Sequence, residues 1–96
     1  MKMKNLYDAI YNILSKIEEM QGSGIAFAYY DEAGFLSICT TNYEMYMKDA
    51  RFSKFTRVWR KMLLKFKQDK VVFCCKSAKE NQLFELANAD NLFLAP

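Results

Sequence analysis

Between Arg51 and Lys67 the chain carries seven Lys and Arg side chains and no Asp or Glu. No Gly or Pro occurs anywhere from Tyr43 to Gln68, so nothing in the local chemistry stops a helix there. Seven like charges cannot be buried, and such a stretch folds only if it divides into an apolar and a cationic side. At helical spacing Phe52, Phe55, Trp59, Met62, Leu63 and Phe66 share one side. Lys54, Arg57, Lys61 and Lys65 share the opposite side, with Arg60 and Lys67 on its flank. The spacing therefore predicts a long central helix, unbroken or bent near Asp49 to Ser53, that turns its rings to a sheet and its cations to water.

The same segment polarises the molecule. The formal net charge is +3, yet residues 51–67 hold +7 and the other seven basic and eleven acidic side chains leave −4. A run without interspersed Glu lacks the usual i, i+4 pairing along the helix. Two readings stay open. The face is solvated, its charges answered by acids elsewhere in the molecule. Alternatively, Lys54, Arg57, Arg60, Lys61 and Lys65 form a site for an acidic protein surface or for nucleic-acid phosphates.

The rest of the chain reads as a small α+β domain. Leu6, Ile10, Ile13, Leu14, Ile17 and Met20 fall on one helical face, with Asn5 and Asp8 at its start and Gly22-Ser23-Gly24 as its stop. Tyr7 and Tyr11 lie at the margin of that stripe. Ile25 to Tyr30 and Phe35 to Thr40 are two strand-like runs joined by Asp31-Glu32-Ala33-Gly34, a hairpin whose Gly accepts a positive φ. Ala26 and Ala28 alternate with Phe27 and Tyr29, which predicts close packing against the alanine face. Thr41-Asn42-Tyr43-Glu44 matches a capping box and sets the start of the central helix at Thr41. Val71 to Lys76 suits a buried strand, and Leu92-Phe93-Leu94 follows a turn at Asn88 to Asn91. Ser77 to Ala87 fits a short helix by propensity and a strand by alternation. The expected order is α-β-β-α-β-(α or β)-β, with a small antiparallel sheet packed by the N-terminal and basic helices.

Composition narrows the functional classes. Ninety-six residues, 52% hydrophobic and 26% charged, amount to one domain. Eight Phe, six Tyr and six Met exceed what so small a core buries, and the surplus predicts a contact surface and self-association. No run approaches the roughly 20 apolar residues of a membrane span, and Met1-Lys2-Met3-Lys4 leads into an amphipathic helix, so a cytoplasmic protein without a membrane partner is expected. Three cysteines are too few for a disulfide framework and read as small buried hydrophobes. Cys74 and Cys75 are adjacent, so in a strand their side chains point to opposite faces and cannot share a metal or a bond.

Histidine is absent, which removes the commonest general base and every Ser-His or Cys-His nucleophile. The acid pairs Glu18/Glu19 and Asp31/Glu32 read as solvated charges. Gly22-Ser23-Gly24 follows a helix, whereas a phosphate-cradling loop follows a strand. The expectation is no enzyme, no metal, no cofactor and no small-molecule substrate. Motifs for sequence-specific nucleic-acid binding are also missing, although Tyr29, Tyr30, Tyr43 and Tyr46 are candidates to stack bases.

From Leu14 to Asn42 the text LSKIEEMQGSGIAFAYYDEAGFLSICTTN resembles the opening of roadblock/dynein light chain domains. There an amphipathic helix leads through a Gly, an apolar strand, an acidic-Gly turn and a second strand into a long helix. The resemblance implies a homodimer whose sheet continues across two chains and which scaffolds or regulates a small GTPase. In this chain Gly24, Asp31 and Gly34 would be its turn and helix-stop positions, without a catalytic role. The residues together lead to an expected non-catalytic interaction module that self-associates and presents its basic helix to an acidic partner. The alternative is a non-specific nucleic-acid-binding accessory protein that uses the same helix.

Overall fold

The computed structural model describes residues 4–76 and 92–95. Its elements run α1 (Leu6–Gln21), β1 (Ala26–Tyr30), β2 (Leu36–Thr40), α2 (Tyr43–Lys48), α3 (Ala50–Leu64), β3 (Val71–Cys75) and β4 (Leu92–Leu94). The expected α+β class and its order hold through β3. Ser77 to Ala87, the segment with two sequence readings, lies outside the described residues.

The sheet order is β3-β2-β1-β4. β1 pairs antiparallel with β2 and with β4, but β2 and β3 are parallel, with Leu36 opposite Val71 and Cys39 opposite Cys74. The sheet is thus mixed, where the sequence reading had it antiparallel. The reason is the connection: α2 and α3 carry the chain from the end of β2 back to the start of β3, so β3 re-enters in the same direction, which no tight turn could achieve.

Alternation gives the sheet two distinct faces. Ala26, Ala28, Leu36, Ile38, Val71, Phe73 and Phe93 form one core with Ile10, Ile13, Leu14 and Ile17 of α1 and with Met45, Phe52, Trp59 and Leu63 of α2 and α3. Ala26 and Ala28 are fully buried, and their small side chains let α1 approach β1 closely, as the alternation predicted. Phe27, Tyr29, Ser37, Cys39, Val72 and Cys74 point the other way. Tyr7 and Tyr11 each place their rings 5.7 Å from Phe93, at the margin of the core, while remaining partly in solvent.

Polar side chains set the joints. Asn5 caps α1 by accepting the Asp8 N–H at 2.9 Å. In the hairpin the Asp31 carboxylate accepts the N–H groups of Ala33 and Phe35, each at 2.9 Å, and Gly34 follows at φ +85°. α2 is capped by Asn42, whose side chain accepts the Met45 N–H, and not by Thr41 as the capping-box pattern indicated. Thr41 is taken up elsewhere, since its hydroxyl accepts the Ile25 N–H at 2.8 Å and ties the end of β2 to the start of β1. Asn42 also donates to the carbonyls of Gln21 and Ser23, fastening the end of α1 to the start of α2.

The central helix is divided at Asp49. That residue leaves the helical region at φ −88° and ψ +110°, ends α2 with its N–H on the Met45 carbonyl, and begins α3 by accepting the Arg51 N–H. One aspartate closes one helix and opens the next.

Candidate functional site

α3 is positioned by its apolar side. Phe52, Trp59 and Leu63 are buried, and Phe55, Met62 and Phe66 pack against the same core. All six rings and aliphatic chains assigned to that side from the sequence therefore reach the interior.

Opposite them Lys54, Arg57, Lys61 and Lys65 are all exposed. Among the described residues the one ion pair is Arg51 with Asp49 at 2.8 Å, so none of these four cations is neutralised by a carboxylate there. Their spacing brings them onto one surface about three turns long. Among the described residues no carboxylate is delivered to this face.

Arg60 stands apart from the other four candidates. Its guanidinium donates from Nη1 to the Val71 carbonyl at 2.7 Å and lies 5.2 Å from the centre of the Phe73 ring. It fastens α3 to the edge strand, a structural duty that its place on the flank of the wheel left open. Arg51 is likewise engaged, donating from Nε and Nη2 to Asp49.

Two apolar side chains interrupt the cationic face, and the sequence reading passed over both. Val58 is 51% exposed and Leu64 56% exposed. Helical spacing sets Val58 among Lys54, Lys61 and Lys65, and Leu64 beside Arg57 and Lys61. Their departure from the all-polar outer face of an ordinary surface helix was the available signal. The face is therefore an array of cations around greasy patches.

Three of the four tyrosines considered for base stacking are already occupied. Tyr30 donates to Gln68 Oε1 at 3.1 Å, Tyr46 donates to the Phe73 carbonyl at 3.4 Å, and Tyr29 receives Lys76 against both its hydroxyl and its ring. Burial pushes the Tyr30 phenol above its ordinary value. Tyr43 alone is largely exposed, on α2.

The cysteines depart from the expectation of three inert hydrophobes. Cys39 and Cys74 sit in register on β2 and β3 with Cα atoms 4.8 Å apart, and their sulfurs are joined as a disulfide. Sequence spacing could not reveal this, because the two strands are neighbours only through the crossover. Cys75 is free, and burial pushes its thiol above the ordinary range. Glu18, read as a solvated acid, is exposed and also accepts the Ala26 N–H at 3.3 Å. Among the described residues no three Cys, Asp or Glu gather where a metal could be held, and no helix is long and apolar enough to cross a membrane.

Fold and surface together define a small α+β domain with a mixed four-stranded sheet and one cation-rich helix face. No protein-family model, no curated protein and no solved structure matches the chain. The roadblock resemblance accordingly rests on Leu14 to Asn42 alone.

Proposed function

We propose that this chain is a non-catalytic interaction module that docks an acidic protein surface on the outer face of α3. The observation that carries the reading is the row Lys54, Arg57, Lys61 and Lys65, exposed and without a carboxylate partner among the described residues. Such a row steers an oppositely charged partner toward the face and raises its association rate. Val58 and Leu64 favour a protein over a phosphate backbone, because apolar side chains between cations match an amphipathic acidic helix and gain nothing from phosphates.

Self-association completes the proposal. Ile25, Val72 and Leu94 leave apolar surface on the sheet face turned away from α1 and α3, and a second copy would cover it. Sedimentation that returns a strict monomer at high micromolar concentration removes this half without touching the first.

The docking half is tested with a fluorescent amphipathic peptide rich in Glu and Leu, set against single- and double-stranded DNA of similar charge. The peptide is expected to bind at low salt and to be lost when Lys54, Arg57, Lys61 and Lys65 are all changed to Glu. Absence of peptide binding at low salt refutes the docking face. Preference for DNA, with affinity falling by about tenfold or more between 50 and 200 mM salt, selects the nucleic-acid reading in its place.

A further inference from the structure

The two joined cysteines differ in their access to solvent. Cys39 is fully buried on the central strand β2, whereas Cys74 is half-buried on the edge strand β3. Their side chains share the sheet face turned away from the helices. Cys75 follows directly but points to the other face, in the row of Thr40 on β2 and away from its neighbour's sulfur. Three thiols thus resolve into one pair and one bystander.

Lys76 adds a cation to the pair. It lies one row beyond the cysteines on the same face, yet its ammonium reaches Tyr29, one row before them. The two side chains therefore meet across the row that Cys39 and Cys74 occupy.

We infer that Cys39 and Cys74 form a redox modification site, with Cys74 as the entry sulfur, that exchanges with low-molecular-weight disulfides of the glutathione type. In the oxidising direction the Cys74 thiolate attacks one sulfur of the small disulfide, a mixed disulfide forms on Cys74, and one small thiolate leaves. Cys39, as its thiolate, then attacks the Cys74 sulfur and expels the second small thiolate. The protein dithiol loses two electrons and two protons, and the small disulfide becomes two thiols. Reduction runs the same steps backwards. The bridge closes a ring of chain that contains all of α2 and α3, with a sequence separation of 35.

The test uses the full chain at a dilution where it is monomeric, because the second copy proposed above would cover the face that carries Cys74. It is reduced, incubated with oxidised glutathione, quenched in acid, denatured and alkylated. Of the three thiols, one is expected to remain alkylatable, mapping to Cys75, with two glutathione thiols released per chain. Three alkylated cysteines, a glutathione left on wild-type Cys74, or a bridge containing Cys75 would each overturn the inference. Cys39→Ser is expected to stop with glutathione attached to Cys74, and Cys74→Ser to leave Cys39 unmodified while folded. Modification of Cys39 in the folded Cys74→Ser chain contradicts the assignment of the entry sulfur. Wild-type mapping decides the pairing even if a variant fails to fold.

Discussion

Replacing Gly24 with Ala tests how tightly the clasp between α1, the hairpin and α2 is built. Gly24 has φ +98°, and a Cβ there would stand 2.6 Å from the Thr41 hydroxyl, with Gln21 Nε2 at 3.5 Å and the Asn42 nitrogen at 3.6 Å. Thr41 cannot give way freely, since its hydroxyl holds the Ile25 N–H at 2.8 Å. Forcing Ala into a positive φ costs about 1–2 kcal/mol. Losing the Thr41 bond costs about 1 kcal/mol more, because the Ile25 amide is near enough to solvent to find water. The total is about 2–3 kcal/mol, which lowers the melting temperature of a chain of this size by roughly 10 °C or more.

Gly34→Ala is the control. Its φ is +85°, but an added Cβ meets nothing within 4 Å, so only the backbone part of the cost applies. Thermal and urea unfolding of Gly24→Ala, Gly34→Ala, Thr41→Ala and the Gly24→Ala/Thr41→Ala double variant supply the comparison. In the Thr41→Ala background the Gly24 substitution is expected to lose its contact component and to cost about as much as Gly34→Ala, roughly 1–2 kcal/mol. Equal costs for Gly24→Ala and Gly34→Ala in the wild-type background, or an unchanged Gly24→Ala cost without the Thr41 hydroxyl, would refute the steric argument.

The remaining expectations concern α3 and its surroundings. Arg60→Ala should destabilise the fold by about 1–2 kcal/mol, through loss of a charged hydrogen bond and a ring contact to β3. Single Ala substitutions at Lys54, Lys61 or Lys65 should stay within about 0.5 kcal/mol by the same urea titrations, since these side chains are exposed and form no ion pair among the described residues. The Asp49 carboxyl is held below its ordinary value of 3.8, first by the Arg51 side chain and then by the Arg51 N–H. A folded-state value lower than the unfolded one gives stability that is present above pH 3.8 and is lost as pH falls through the folded value. Asp49→Asn keeps a capping oxygen but no titrating charge, so its stability profile should be flatter than wild type on the acid limb, as acid-unfolding curves will show.

The elements that periodicity controls were legible before any tertiary contact was known. The α1 stripe, the Asp31–Gly34 hairpin and the two-sided character of residues 51–67 follow from local spacing, because a helix or strand exposes its faces at a fixed repeat whatever it packs against. The division at Asp49 was legible as a range, and its exact residue was settled by which side chain found the Arg51 amide. Thr41 illustrates the limit of local reading, since its hydroxyl had two N–H groups in reach and tertiary structure awarded it the distant one on Ile25.

Relations between segments far apart in sequence belong to the tertiary structure alone. The parallel register of β2 and β3 depends on the path of α2 and α3 over the sheet, and that register brings Cys39 to Cys74. The same packing decides that Arg60 grips Val71 and Phe73 while Lys54, Arg57, Lys61 and Lys65 remain in water. Spacing states which side chains share a face of one element; only the assembled layers state what that face meets.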